Sequence, residues 1–477
     1  MAAVEDVMAE LATSLSRLSA GELADGYARH SFSPVEVIEA TLARIDEVNG
    51  SLNAIITLDA AGARAAARAS ETRWRERTAR GPLDGVPLTV KDNINVRGLR
   101  TTWGSRLYAD FIPTVDELPV ARARAAGMVI LGKTNVPEFT LSGYTDNVLF
   151  GPTRNPWDVR LTPGGSSGGA VAGIAAGLGP LALGTDGGGS IRRPASHTGV
   201  VGLKPSRGRV ARSDGLPQIL LDFEVVGPMA RTTRDVVLMM AVIAAPHPRD
   251  PASAAFAQRP WALPPAKRCR VLYVPRFDDN PVDAEIAASI ERAAQTLAAL
   301  GHEVTEAPAP FAVDAFNAVW PVISQAGLAA LVNPMPQWRE RVAPSFVAMA
   351  EAGSRLRATE LFDALAEIDR MRERLGETFA QYDVLLTPSA AALPWPAQEA
   401  YPPKIAGCDV GPRGHAVFTA FANASGGPAI SLPCTPSVTG LPIGLQLVAA
   451  PGHDERLCVL AQEYETAAPW AHRWPPL

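Results

Sequence analysis

Two serines set in glycine-rich turns are the residues of this 477-residue chain best suited to do chemistry. Thr162 to Gly169 reads TPGGSSGG, and 24 residues after Ser166 comes Ser190, within GTDGGGSIRRPA from Gly184 to Ala195. Glycine tolerates unusual backbone angles and lets successive N–H groups converge on one point, as an oxyanion hole requires. Gly187, Gly188, Gly189 and Ser190 are the candidate donors, and a serine hydroxyl beside them is a candidate nucleophile. One glycine-serine run is ordinarily a flexible loop. Two of them flanking an apolar helix and strand are harder to explain that way.

A serine nucleophile needs a base. Of the seven histidines only His197 lies near in sequence. Gly164 to Gly168 also satisfies G-x-S-x-G, but that elbow follows a hydrophobic strand, and Asp158 to Pro163 is not one. Lysine is the other side chain that can lose its proton when buried. Among 44 lysines and arginines only five are lysine: Lys91, Lys133, Lys204, Lys267 and Lys404. Lys91 follows the apolar run Val86 to Val90, at the end of a candidate buried strand, where sites of α/β proteins gather. Taken alone, the segment fits a surface lysine paired with Asp92 better. A further motif, GMVILGKT over residues 127–134, satisfies the phosphate-loop pattern. Met128 to Leu131 is an apolar run suited to a strand, however, and a phosphate cradle needs a loop there. Nucleotide binding through 127–134 is kept only as an alternative.

The elements that must hold these residues alternate. Val86 to Val90, Met128 to Leu131 and Leu181 to Leu183 read as strands, and Leu118 to Ala126 as a helix closed by Gly127. Val35 to Val48 and Ala60 to Ala69 read as helices ahead of them. Leu161 to Thr185 carries no charge, but Pro163, Pro180 and many glycines suit a core segment better than a membrane span. Within it Gly169, Gly173 and Gly177 would bare one helix face to a sheet. Beyond the proline-rich stretch 246–265, Cys269 to Val274 reads as a strand. Residues 283–300 and 355–380 then read as helices, and Asp383 to Leu386 and Pro442 to Val448 as strands. The pattern predicts one α/β domain over 1–477. Its parts are a helical stretch 1–75, a catalytic core 76–245, an inserted helical region 275–380 and a return to the sheet over 381–477.

Several longer segments resemble the amidase-signature hydrolases over nearly the whole chain. They are GVPLTVKDN (Gly85 to Asn93), GKTNVPEF (Gly132 to Phe139), GPTRNPWD (Gly151 to Asp158), both glycine-serine segments, GVVGLKPSRG (Gly199 to Gly208) and GLPIGLQL (Gly440 to Leu447). The resemblance implies a mixed, twisted central β-sheet covered by helices on both faces. It implies a catalytic triad of Ser190, Ser166 and Lys91, in which neutral Lys91 takes a proton through Ser166 as Ser190 attacks the carbonyl, and water hydrolyses the acyl-enzyme. It further implies a cis peptide between Gly165 and Ser166, bracing of the nucleophile loop by Asp186 and Arg192, and no metal or cofactor. Gly187 stands where the family often has threonine, which should loosen that loop. Arg207 stands where tyrosine is common, which sets the chain apart from glutamine-using transamidase subunits.

In that family the pocket walls come from variable segments, here Leu141 to Phe150 and Phe311 to Trp338. Tyr144, Phe316 and Trp320 are the candidate substrate-binding residues, although the helical spacing of Phe316, Trp320, Val322, Ile323, Leu328 and Leu331 also fits an ordinary core. The expected substrates are hydrophobic or aryl amides, extending to esters and carbamates as in urethanases. The alternative is the glutamine-amidase subunit of a tRNA-dependent amidotransferase.

Composition narrows the remaining classes. A net charge of −5, a pI near 5.9 and no long basic run argue against a nucleic-acid partner. Cys269, Cys408, Cys434 and Cys458 are too scattered for a close-paired zinc or redox site, so reduced, buried thiols are expected. Glu5, Asp6 and Glu10 break the pattern of a secretory leader. The expectation is a cytoplasmic protein with a small-molecule substrate and no membrane span.

Overall fold

The computed structural model describes residues 14–477, so Glu5, Asp6 and Glu10 lie outside the described residues. In chain order the strands are β1 (Ile55–Leu58), β2 (Pro87–Lys91), β3 (Val129–Thr134), β4 (Leu181–Asp186), β5 (Val201–Lys204), β6 (Val225–Ala230), β7 (Arg270–Tyr273), β8 (Glu303–Glu306) and β9 (Val384–Pro388), then a small ribbon of β10 (Lys404–Ile405) and β11 (Cys408–Asp409), then β12 (Ala429–Pro433) and β13 (Gly444–Ala449). All except the ribbon join one 11-stranded sheet in the order β1-β3-β2-β4-β6-β5-β12-β13-β9-β7-β8. It is mixed: β3, β2 and β4 run parallel, the stretch from β4 through β6, β5, β12 and β13 to β9 is antiparallel, and β9, β7 and β8 are parallel again.

Side-chain alternation shows why both faces must be covered. In β4, Leu181 and Leu183 join Leu88 and Val90 of β2 in one core, while Ala182 faces Val171 and Ala175 of the helix Gly168–Ala175. In β9, Val384 and Leu386 belong to the first core, whereas Leu385 packs with Phe316, Ile368 and Leu375 from the helices Val313–Val332 and Ala358–Gln381. Each buried leucine contributes roughly 1.5–3 kcal/mol, so a sheet apolar on both faces is stable only between two helical layers.

The expected strands and helices form, with three differences of boundary or role. The helix Pro34–Leu52 begins at a capping box, Ser33 Oγ accepting from Glu36 N at 3.2 Å, and ends at left-handed Asn53. Directly after it comes β1, hidden from the pattern because four residues on a sheet edge carry too short an alternation to register. The region expected as a helical insertion, 275–380, divides. The helix Ala284–Ala299 and β8 extend the sheet beside β7, and the helical block begins only at Val313. The glycine stripe also divides. At Gly169 a methyl group would meet Asn135 N at 2.4 Å, so close approach needs glycine there, whereas at Gly173 its nearest neighbour would be Leu178 at 3.8 Å. Gly177 lies past the helix end with φ +80° and terminates it.

Residues 161–185 are core, as their composition suggests. The helix Val313–Val332 is long and apolar enough to cross a membrane, with mean hydropathy 1.4, yet Phe316, Ile323 and Leu328 pack in the second core. Three thiols are free and buried as expected; Cys408, in the exposed ribbon, is not.

Candidate active site

The C-terminal ends of parallel neighbours β2 and β4 place Lys91 beside Thr185. Lys91 is fully buried, and its Nζ contacts three oxygens: Ser166 Oγ at 2.8 Å, Thr185 Oγ1 at 2.9 Å and the Thr185 carbonyl at 3.1 Å. The expected alternative, a surface lysine paired with Asp92, does not occur. Asp92 instead faces Lys133 Nζ at 3.4 Å and accepts from Thr102 N at 2.9 Å. Burial pushes the Lys91 ammonium down to about 7, against the opposing fields of Glu224 and Asp186.

Asn93 completes the cluster around Thr185. Thr185 Oγ1 has Asn93 Oδ1 at 3.3 Å as an acceptor and receives Asn93 Nδ2 at 3.0 Å. A neutral Lys91 has two N–H bonds, which satisfy Thr185 Oγ1 and the Thr185 carbonyl. At its third contact, Ser166 Oγ at 2.8 Å, the ammonium donates its third N–H, whereas the neutral amine would present its lone pair to the hydroxyl.

Two glycine loops meet over this amine. The Gly165–Ser166 peptide is cis, as expected. At Gly165 a methyl group would meet the Tyr144 carbonyl oxygen at 2.6 Å, so glycine is required for the approach of that segment. The loops are tied together by Ser167 N donating to the Ser190 carbonyl at 3.1 Å. Ser166 is fully buried, while Ser190 is 7% exposed and lines a cavity of about 510 Å³. Lys91, Ser166 and Ser190 thus run from the interior toward the cavity.

Asp186 and Arg192 sit under the Gly187–Ser190 loop, both fully buried. Arg192 donates to Asp186 through Nε at 3.0 Å and an Nη at 2.8 Å, and its other donors reach the Thr419 carbonyl, Gln446 Oε1 and Asn423 Oδ1. Burial alone would push the Asp186 carboxyl up, but Arg192, Asn423 and the Ile191 N–H hold it well below the usual carboxylate range. Asp186 also accepts from Gly189 N at 2.7 Å. Gly189, expected among the oxyanion donors, is therefore a strut of the loop, and the candidate donors contract to Gly187, Gly188 and Ser190. Asp186→Asn would leave a buried guanidinium without its countercharge, an expected loss of about 3–5 kcal/mol. The check is the denaturant midpoint; a loss of less than about 1 kcal/mol would mean that the pair does not brace the fold.

Glycine at 187 does not leave an open space. Leu220 Cδ1 lies 2.6 Å from where a Cβ would stand, and at Gly188 the Trp320 ring lies 2.7 Å away. Both side chains line the cavity, so the glycines admit its walls against the loop that carries Ser190.

Of the three candidate substrate-binding residues, Tyr144 and Trp320 line the cavity. Phe316 does not: it is buried against Phe311 in the second core. Val322, Ile323, Leu328 and Leu331 are also absent from the lining. The helix Val313–Val332 turns Trp320, Pro321, Ser324 and Gln325 to the cavity, so its polar interruptions mark the functional face and its apolar run marks the core.

Other lining residues escaped the sequence. Arg193 follows Arg192 directly and was legible as a second arginine close to Ser190. Phe346, Arg413 and His415 arrive from distant segments that carry no motif. His197, the one histidine near Ser190 in sequence, is buried with Nε2 on the Ala392 carbonyl at 3.1 Å, and burial pushes it down to about 4. The phosphate-loop pattern proves to be strand β3, with Lys133 Nζ donating to the Ile94 carbonyl at 2.6 Å and Thr101 Oγ1 at 2.7 Å. No loop is left there to cradle a nucleotide.

Comparison with known proteins places this geometry in context. A family profile described as Amidase matches residues 36–458. The chain is 35% identical over 469 residues to an acylamidase of Rhodococcus erythropolis, covering 96% of this chain and 97% of that protein. It is likewise 35% identical over 486 residues to a glutamyl-tRNA(Gln) amidotransferase subunit of Moorella thermoacetica, covering 96% and 98%. In structure it is similar to a bacterial aryl acylamidase belonging to the amidase-signature enzymes, with a TM-score of 0.87 at 28% identity over 96% of this chain and 99% of that one.

Proposed function

The chain belongs to the amidase family and is an amide-hydrolysing enzyme, and from that premise we propose a Ser190–Ser166–Lys91 relay acting on hydrophobic or aryl amides. The observation that carries the reading is the buried Lys91 amine, 2.8 Å from Ser166 Oγ and pushed toward neutrality at physiological pH. Ser190 Oγ attacks the amide carbonyl; its proton passes to Ser166 while the Ser166 proton passes to Lys91. The N–H groups of Gly187, Gly188 and Ser190 receive the developing oxyanion. The protonated relay then gives its proton to the leaving amine as the C–N bond breaks. Water, activated by the same path, hydrolyses the Ser190 ester and restores the starting state.

The substrate reading rests on the apolar walls of the cavity, Leu141, Tyr144, Leu220, Trp320, Phe346 and Met349. Esters and carbamates present the same carbonyl to Ser190 and extend the range. A panel of anilides, aliphatic amides, esters, carbamates and glutamine tests this. Within this panel, anilides and apolar amides should exceed glutamine in kcat/KM. Turnover of glutamine with the anilides and carbamates inert would overturn it.

A second reading, the glutamine-amidase component of a tRNA-dependent amidotransferase, is favoured by one observation, the equal identity to the Moorella protein. The departure at Arg207 does not separate the two by overall similarity. On that reading the isolated chain would stay inactive on every member of the panel.

A further inference from the structure

The apolar cavity has a cationic end. Arg193 is only 5% exposed, with Nη donors on the Gly188 carbonyl at 3.0 Å and, at 3.4 Å, on the Gly165 carbonyl and Thr419 Oγ1. Its Nε is buried without a hydrogen-bond partner among the described residues. Arg413 is half-buried, with its guanidinium 5.1 Å above the Trp320 ring. Both arginines line the cavity that Ser190 lines, and the field of Arg413 raises the cost of charge on Arg193. Among the described residues neither forms an ion pair with a carboxylate. Asp186, whose field reaches Arg193, is itself paired with Arg192. His415 lines the same cavity, buried, with neither ring nitrogen hydrogen-bonded among the described residues.

A buried guanidinium without a countercharge, as at Arg193, is unfavourable unless a ligand supplies the missing anion, and the partly exposed Arg413 adds a second positive charge beside it. Arg presents a planar fork matched to carboxylate, and charge-assisted hydrogen bonds are the strong ones. Phosphate would suit the charge, but apolar walls and the adjoining acyl-transfer loop suit an organic acid. We propose that the preferred substrates are amides whose acyl or amine portion ends in a free carboxylate, bound between Arg193 and Arg413 with the apolar part against Trp320 and Leu220. A free ammonium next to that carboxylate, as in glutamine, would oppose the same arginines.

This rests on the reading of the Ser190 cavity as the amide site, and the experiment separates the two. Matched pairs are compared: glutaranilate with valeranilide, and N-butanoyl-β-alanine with N-butanoyl-butylamine. In the wild type at least one acid should exceed its neutral twin in kcat/KM by roughly 10- to 100-fold, the scale of a charge-assisted contact. That ratio should fall toward one in Arg413→Met and recover in part in Arg413→Lys. Binding of the same compounds to Ser190→Ala, by calorimetry, reads the preference without turnover. Neutral twins that bind and react as well as the acids, or a ratio unchanged in Arg413→Met, would overturn the proposal. If Arg413→Met does not fold, the wild-type ratios and the Ser190→Ala affinities decide alone. Selective binding of the acids with no cleavage of any amide would retain the anion site and remove the catalytic reading.

Discussion

Ser190→Ala is expected to lower kcat/KM for any amide the enzyme cleaves by roughly a millionfold, the scale on which an activated serine is lost in other serine hydrolases. The loss should come with little change in stability. The Ser190 carbonyl, which accepts the Ser167 N–H at 3.1 Å, survives the substitution, and the side chain sits at the cavity wall. A fluorophosphonate should label the wild type at this residue and leave the variant unlabelled. Turnover within about tenfold of wild type, or labelling of another serine, would place the nucleophile elsewhere.

Lys91→Met is the second large effect, a fall in kcat/KM of roughly a thousandfold or more, at the upper range of what general acid–base groups supply. Methionine fills the buried channel without an amine, leaving Ser166 Oγ and the Thr185 carbonyl short of their 2.8 and 3.1 Å contacts. Losing such contacts costs about 1–3 kcal/mol each in stability, so the folded protein should persist with its activity gone. Lys91→Arg separates base from charge. Arginine keeps a cation there but does not lose its proton near neutrality, so it should be as inactive as methionine. In the wild type kcat/KM should climb as pH rises through about 7, because only the deprotonated amine offers a lone pair. The variants' residual rates should lack that limb.

How much of this was legible in the sequence follows from how each residue is held. Ser166, Ser190 and Lys91 stand in contiguous segments whose glycines and strand character are local, so their grouping could be expected from motif and resemblance. The cis peptide at Gly165 and the Asp186–Arg192 pair came with the same resemblance. The tertiary approaches were not legible. Gly189 N–H turns to Asp186 because the carboxylate is drawn under the loop by Arg192, and nothing in GGGS distinguishes it from Gly188. Phe316 and Trp320 lie one helical turn apart on one apolar run, yet only Trp320 reaches the cavity, since the segments carrying Arg413 and Gly188 converge there. Arg193 was visible in sequence, but its missing countercharge is a property of its surroundings. β1 was lost to its brevity, and the start of the helical block was misplaced because the helix Ala284–Ala299 has the same periodicity whether it crosses between two sheet strands or stands apart.

The central claim is that Lys91 is an uncharged amine at working pH, and with only five lysines in the chain it can be observed directly. Protein labelled with ¹⁵N at lysine side chains should show the Lys91 resonance, assigned by its absence in Lys91→Met, titrating with a midpoint near 7. The assignment matters because burial also pushes Lys204 down to about 7. A Lys91 signal that remains that of an ammonium up to pH values of about 9, where an ordinary lysine is still charged, would contradict the account.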